Sequence, residues 1–355
     1  MSTVRTSGRP GRNHVLVGVA LGVAVLGLLW AKWLPYTDRT LGLLDTGRWK
    51  GTSMLLAGEG LNPFARAWTF TLAYSTAVWK ALAVALAISV CVDVLVPRRW
   101  LVQLLGRRTT AGGSVAGGLA ALPAMMCTCC SAPLTVTMRR AGVPTSAALA
   151  FWLGNPVLNP AVLVFLALLA PWPWVAVRVL LGLVLVLGVS TLLGALAARR
   201  TAPLPAADRA VTAALADPVP EPAAAQIPVR LLRSFARLAL VLVPEYLVVV
   251  FLVGLVGAPL GRLLGHGGAV AVLVAAAVGV LLVLPTAGEI PILLGLAAAG
   301  ASPGVLGALL LVLPALSLPS MVMVGRALTW RVTAAAAGAT AAVGVLAGGL
   351  LTLLA

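Results

Sequence analysis

Long apolar runs alternate with short polar segments along most of the chain. A helix needs about 20 apolar residues to cross a bilayer. Seven runs are long enough: Val15–Leu34, Trp68–Val96, Thr145–Ala170, Trp174–Ala198, Arg233–Gly257, Pro303–Val324 and Val332–Leu354. The pattern predicts an all-α polytopic membrane protein.

Two further apolar segments, Thr110–Ala141 and Gly267–Ala299, are interrupted by proline. The first contains Pro123 and Pro133. Proline removes a backbone donor and clashes with the preceding turn, so these residues should break a helix. Inside a bilayer, broken backbone is tolerated only within protein or beside a water-filled cavity. We therefore expect each segment to form a re-entrant hairpin of two half-helices.

The two halves of the chain resemble each other. A shift of 158 residues places Pro133 on Pro291, Gly142 on Gly300 and Pro156 on Pro314, and a shift of 162 places Pro123 on Pro285. Three matches at one offset in one neighbourhood favour a real repeat. The break that carries the cysteines is thus predicted to be four residues longer than its counterpart.

Basic residues orient the two halves. If both hairpins are re-entrant, the arginine pairs at 98–99, 107–108, 139–140 and 199–200 all fall on the cytoplasmic side, as the positive-inside rule requires. The polar loop after the first helix departs from the rule. The second half then crosses the membrane in the opposite orientation from the first, which predicts an inverted repeat.

The same pattern divides the chain into four parts. We expect a tail, first helix and polar loop at 1–67, a first transmembrane repeat with the cysteines at 68–198, a linker at 199–229 and a second repeat at 230–355. The linker is rich in proline and alanine and should be flexible. The first helix is long enough to span and is predicted to be retained rather than cleaved as a signal peptide. The N terminus and the linker are expected in the cytoplasm.

Composition excludes several function classes. Hydrophobic residues make up 61% of the chain and charged residues 10%, whereas soluble domains carry about 25% charged residues. The net charge of +16 is scattered over segment ends without interleaved aromatics, so no nucleic-acid partner is predicted. The sequence has no Ser-His-Asp set, zinc-type Cys/His spacing or phosphate-binding glycine loop. We therefore predict no enzyme activity, no cofactor and no resident metal.

Three cysteines, Cys127, Cys129 and Cys130, lie within four residues at the first break. Thiolates favour soft metals and metalloids, so the cluster is a candidate substrate site. The alternative is that free cysteine packs as a small, inert hydrophobe, which is our interpretation of the isolated Cys91. Clustering at a helix break favours the functional interpretation of the other three.

Polar residues at the other breaks complete the candidate site. Glu289 lies in the second break, where it could exchange protons with the solute path or could cap the following half-helix. Asn155 and Asn159 are four residues apart and are expected to share a helix face. Ser317 lies in the break of the matching segment of the second half.

Lys80, Asp93 and Glu245 are the other ionisable residues noted within spans. Structural ion pairs are the favoured interpretation, with Asp93 near Arg98 and Lys80 facing Glu245 across the repeats.

The sequence Cys-Thr-Cys-Cys-Ser-Ala-Pro-Leu134, followed by Arg139–Pro144 and Trp152–Pro160, resembles the predicted-permease family of bacteria, which includes the organoarsenical efflux permeases. The segment Pro285–Pro291 with Gly300 is similar to the paired motif of that family. The likeness covers about residues 68–354. It implies a secondary transporter of the inner membrane whose cysteines handle trivalent arsenicals, with Asn155 and Asn159 at the Asn-Pro pairs of the motif.

The leading hypothesis is a permease that exports a small soft or thiol-reactive solute, such as a trivalent (organo)arsenical. The solute would be held by seven side chains: Cys127, Cys129, Cys130, Asn155, Asn159, Glu289 and Ser317. One alternative is an importer of a sulfur compound or a soft metal ion. Another is a membrane thiol oxidoreductase, although such proteins usually present an accessible Cys-x-x-Cys pair.

Overall fold

A computed structural model describes residues 10–47, 61–107, 109–201, 226–263 and 268–355, without the side chains of residues 10–13, 200–201 and 256–263. Within these ranges the chain forms helices and no strand, which confirms the all-α class. Before the linker the helices are α1 (Pro10–Leu28), α2 (Leu34–Thr46), α3 (Pro63–Leu95), α4 (Arg98–Leu105), α5 (Thr110–Ala121), α6 (Thr128–Arg140), α7 (Thr145–Val157), α8 (Pro160–Leu169), α9 (Trp172–Leu183) and α10 (Ser190–Thr201). After it come α11 (Ile227–Leu263), α12 (Ala269–Gly279), α13 (Glu289–Ala298), α14 (Pro303–Ala315), α15 (Leu318–Leu328) and α16 (Trp330–Leu354).

The apolar runs form helices long enough to cross a bilayer. Six such helices occur in the described ranges, and the pair α14–α15, bent by 53°, makes a seventh span if it is counted as one. All seven predicted runs are found among these segments. The protein is therefore a polytopic membrane protein.

The first helix is longer than predicted. A polar loop was expected from Pro35, but a π-helical turn at Leu29–Trp33 leads directly into α2, which ends at Thr46. The widened turn accommodates Pro35, whose ring would clash with a carbonyl in a regular α-helix. Most of the remaining loop, Arg108 and most of the predicted linker lie outside the described residues.

Helices α5 and α6 form the first hairpin. Helix α5 packs side by side with α7 in the same direction, since Gly113 faces Ser146 and Gly117 faces Ala147. A turn through Gly142, whose φ is 96°, reverses the chain between α6 and α7. The start of α5 and the end of α6 therefore lie on the same side of the molecule. At 12 residues, α5 is about 18 Å long, too short to cross a bilayer.

Helices α12 and α13 form the second hairpin in the same way. Helix α12 runs alongside α14 in the same direction, because Gly304 faces Val272 and Gly279 faces Val312. A turn through Gly300, with φ of 82°, connects α13 to α14. This hairpin also begins and ends on one side.

Two connecting segments, the first tip (residues 122–127) and the second tip (residues 280–288), join the half-helices. Each contains a non-glycine residue in the left-handed region, Met125 with φ of 48° and Ala287 with φ of 67°. Pro133 does not end a helix; it lies inside α6. The prediction of a longer first break is therefore wrong: the first tip has six residues and the second has nine, because residues 128–130 belong to α6.

The two halves run in opposite directions. Arg139, at the end of α6, and Arg326, at the end of α15, line the same cavity of about 1130 Å³. Helix α7 therefore begins on the side of the molecule where the bent pair α14–α15 ends.

Candidate functional site

The three clustered cysteines are buried where the first tip meets α6. Cys127 is the N-cap residue of α6, and its Sγ lies 3.1 Å from Sγ of Cys130, one turn further along. Both thiols are free. Cys127 and Cys130 thus form a dithiol pair that can bind one soft atom.

Cys129 lies beside Cys127 and also has partners outside the cysteine cluster. Its Sγ lies 3.4 Å from the Tyr74 hydroxyl, on α3, and 3.6 Å from the hydroxyl of Ser317, in the break between α14 and α15. The hydroxyl of neighbouring Thr128 lies 3.1 Å from the same Ser317 hydroxyl. The structure thus brings the cysteine segment of the first half against a helix break of the second half.

Ser317 also stabilises its own helix break. It begins α15 in a capping box with Ser320: its N–H donates to the Ser320 hydroxyl over 3.3 Å, and that hydroxyl donates to the Ser317 carbonyl over 2.8 Å. These hydrogen bonds satisfy buried backbone groups that have no helical partner at the bend. Ser317 is therefore fixed in place beside the cysteines.

Asn155 holds the backbone of the first tip. Its Oδ1 accepts a hydrogen bond from the Met126 N–H over 3.2 Å, and its Nδ2 donates to the Phe151 carbonyl over 2.8 Å. The side chain therefore holds the backbone of the residue that precedes Cys127.

Asn159 does not share a helix face with Asn155, so that prediction is wrong. Helix α7 ends at Val157, and Asn159 is the N-cap of α8, where its Oδ1 accepts from the N–H groups of Ala161 and Val162. The physical reason is Pro160, which disfavours helical backbone in the residue before it. Among the described residues, the buried Nδ2 of Asn159 has no hydrogen-bond partner.

Glu289 begins α13 and forms an ion pair that the sequence interpretation missed. Its Oε1 lies 3.0 Å from Nη2 of Arg178, on α9, and both side chains are almost fully buried. The Arg178 guanidinium also donates to the carbonyls of Pro156 and Val157 over 3.0 and 3.2 Å. The ion pair therefore connects the second hairpin to the break between α7 and α8. The sequence feature that could have indicated this pair is the position of Arg178 within an apolar run.

The two hairpins enclose a small shared space. A cavity of about 10 Å³ is lined by Cys127, Glu289 and Pro314, among others. This is about the size that one water requires. The predicted thiol and carboxylate thus form walls of one cavity.

Lys32, like Arg178, is a charged residue that the sequence analysis did not include in the site. It lies in the π-helical turn before α2 and is 6% exposed. Its Nζ donates to the Thr286 hydroxyl over 2.9 Å and to the Tyr36 hydroxyl over 3.2 Å. Lys32 therefore extends from the first helix to the second tip.

The partners observed for Lys80, Asp93 and Glu245 differ from the predicted ones. Glu245 pairs with Arg326 at 3.1 Å, whereas Lys80 stacks on Trp30 and Trp79. The predicted Lys80–Glu245 pair is wrong. Asp93 accepts a hydrogen bond from Ser234 over 3.1 Å and not from Arg98. Aromatic rings stabilise a nearby cation, which explains the position of Lys80.

No group of three or more His, Cys, Asp or Glu side chains in the described part of the chain is arranged to hold a metal ion. Within the cysteine cluster, Cys127 and Cys130 form a dithiol pair, and Cys129 is also directed to Ser317 and Tyr74.

Comparison with known proteins gives two matches. A family model described as a predicted permease matches residues 63–353. The UPF0718 protein YraQ of Escherichia coli K12 is 36% identical over 334 residues, which cover 92% of this chain and 92% of that protein. No solved structure matches.

Proposed function

The chain belongs to the predicted-permease family, and from that premise we propose that it is a secondary carrier exporting a small soft or thiol-reactive solute, such as a trivalent (organo)arsenical. The observation that carries this proposal is the dithiol pair of Cys127 and Cys130, whose sulfurs lie 3.1 Å apart at a buried helix start. Soft thiolates prefer soft metalloids over hard ions.

The arrangement of broken helices supports a carrier. Transporters built from inverted repeats bind their solutes where interrupted helices of both halves meet. Here Thr128 of the first half contacts Ser317 of the second half, and Glu289 of the second half contacts Arg178 of the first. We interpret the two oppositely directed halves as such an inverted repeat.

Binding of a trivalent arsenical would be a ligand exchange. The arsenic loses two hydroxyl ligands and gains bonds to the sulfurs of Cys127 and Cys130. Each departing hydroxide takes the proton of one thiol, so the products are one dithioarsenite and two waters, without oxidation or reduction. The reverse reaction with water releases the solute.

Glu289 is proposed to couple this exchange to protons. As a carboxylate it pairs with Arg178 at 3.0 Å. Protonation would remove the charge that holds Arg178, and Arg178 also holds the carbonyls of Pro156 and Val157. A proton at Glu289 would thereby loosen the break between α7 and α8. Asn159, whose Nδ2 has no partner among the described residues, would then offer a donor to the solute.

The arginine-rich cavity supports a bacterial inner-membrane location with this side in the cytoplasm. Its lining includes Arg98, Arg139, Arg140, Arg230, Arg233, Arg237 and Arg326. Basic residues concentrate on the cytoplasmic side of membrane proteins. The N terminus and the linker are proposed to lie on that side.

Transport in membrane vesicles tests the proposal. Everted vesicles with the protein should accumulate methylarsenite above vesicles without it, and cells should gain methylarsenite tolerance. Cys127→Ser with Cys130→Ser should abolish both effects, whereas the buried, isolated Cys91→Ser serves as the matched control and should keep them. Full transport by the double variant would contradict the dithiol site. Accumulation in intact cells instead of everted vesicles would indicate an importer.

A thiol oxidoreductase is a second candidate, because Cys127 and Cys130 have Cys-x-x-Cys spacing at a helix start. The reaction would convert the two thiols to a disulfide and pass two electrons and two protons to a quinone. Both cysteines are at most 4% exposed, which disfavours direct contact with a partner protein. Quinone reduction that depends on both cysteines, together with unchanged arsenical transport in the serine variants, would favour this function.

A further inference from the structure

A cavity of about 480 Å³ lies between the first helix, α3 and the second tip. Three basic side chains line it, Lys32, Arg39 and Lys80, and no Asp or Glu belongs to its described lining. Such a cavity has a positive potential, which a low-dielectric surrounding strengthens. Its charge favours an anion.

Lys32 is the most deeply buried of these cations, at 6% exposure. An ammonium has three donors. Two of them are used by the neutral hydroxyls of Tyr36 and Thr286, and among the described residues no carboxylate lies within ion-pair distance of Lys32. A buried charge without a countercharge is unfavourable, and ionisable residues inside membrane spans commonly mark solute sites. The third donor is therefore available to a ligand.

This basic cavity adjoins the dithiol pair. Leu284, Pro285, Thr286 and Ala287 line both the basic cavity and the small cavity that contains Cys127. Lys32 also lies within electrostatic range of the Cys127 and Cys130 side chains. The two cavities thus share the second tip as a wall, and a solute that spans both would contact the thiols and the ammonium together.

We infer that Lys32 determines substrate specificity and that the solute is an anion: its soft atom binds Cys127 and Cys130, and its negative group binds the Lys32 ammonium. This inference rests on the proposed dithiol site and narrows its substrate class. It also gives the first helix a role in binding, although Lys32 precedes the region that the family model matches, residues 63–353.

Two matched probes test the inference. Phenylarsine oxide is a neutral trivalent arsenical, and its para-carboxylate derivative carries the same thiol-reactive arsenic with one negative charge. Both are equilibrated with the purified full-length protein in detergent, and bound arsenic is measured by mass spectrometry. The wild-type protein should bind the carboxylate at least about tenfold more tightly, because a charge-assisted hydrogen bond is stronger than a neutral one.

Variants assign the preference to Lys32. Lys32→Met should bring the affinity ratio of the two probes close to one, and Lys32→Arg, which keeps the charge, should restore part of the preference. Arg331→Met removes one charge from an exposed position outside both cavities and should leave the ratio unchanged.

The outcomes separate this inference from the function on which it rests. Equal affinity of the wild-type protein for both probes would overturn the role of Lys32 while leaving the dithiol site intact. This comparison uses only the wild-type protein, so it does not depend on whether a variant folds. Binding of neither probe would contradict the dithiol site, and the inference would fail with it. A preference for the carboxylate that survives Lys32→Met would also overturn the assignment.

Discussion

The two tips have similar backbone conformations but lead into different side chains. Each follows a short helix that packs alongside the next span, and each has a non-glycine residue with positive φ, Met125 or Ala287. The first tip leads into the thiols of α6, whereas the second leads into the carboxylate of Glu289. The two tips thus have a similar backbone conformation and different side chains.

The difference extends to the partners of each tip. At the offset of 158 residues, Glu289 corresponds to Ser131 and Arg178 corresponds to Ala336. The ion pair therefore exists once, between halves, and has no copy at the equivalent place. By contrast, Asn159 and Ser317 correspond and both act as helix N-caps. The helix N-caps at these two breaks are therefore repeated, whereas the buried ion pair is not.

The largest effect should come from breaking the asymmetric ion pair. Arg178→Met leaves the Glu289 carboxylate buried without a partner, which should lower the free energy of unfolding by about 3–5 kcal/mol. Arg178→Met with Glu289→Gln should recover much of that loss. Unfolding in mixed detergent micelles measures both. A single variant as stable as the wild type, or a double variant less stable than the single one, would contradict a direct interaction.

The apolar helices could be predicted from the sequence because apolar runs act locally, whereas proline alone did not locate the breaks, since Pro133 lies inside α6. The charged partners could not be predicted in this way. Arg178 and Glu289 are 111 residues apart, and Lys32 and Thr286 are 254 apart. A single basic residue in an apolar run gives no indication of which distant group it meets. The predicted Lys80–Glu245 pair was wrong for the same reason.

A second difference between the hairpins concerns helix contact. A β-carbon at Gly117, on α5, would lie 2.0 Å from the Ala147 carbonyl oxygen, whereas one at Gly295, on α13, would meet nothing within 4 Å. Gly117→Ala should therefore lower the free energy of unfolding by about 1–3 kcal/mol, since the backbone must move to make room for the methyl group. Gly295→Ala, the matched control, should be stabilising by about 0.5–1 kcal/mol, because alanine is the better helix former. Equal unfolding midpoints of the two variants would contradict the packing of α5 on α7.

A third experiment makes the first tip resemble the second. Asn155 corresponds to Leu313, so Asn155→Leu copies the second half into the first. The Met126 N–H would lose its acceptor, which should cost about 1–3 kcal/mol because a buried donor is left unpaired. Phenylarsine oxide should also bind less tightly, since the dithiol pair loses its support. Leu313→Ala is a size control that should not change binding of the probe. Unaltered binding by Asn155→Leu would show that Asn155 does not position the thiols.

The smallest effect concerns the conformation that both tips share. A non-glycine residue in the left-handed region is strained by about 1–2 kcal/mol, and glycine avoids this strain but loses more entropy on folding, about 0.5–1 kcal/mol. Ala287→Gly, with Ala287 at φ of 67°, should therefore raise the free energy of unfolding by up to about 1 kcal/mol. Ala287→Val should lower it, because a β-branched side chain tolerates this region poorly. Because Ala287 lines the cavity beside Lys32 and the one beside Cys127, probe binding is measured together with stability. A glycine variant that is more stable and binds more weakly would mean that the strained tip holds the two cavities in the shape that the solute requires.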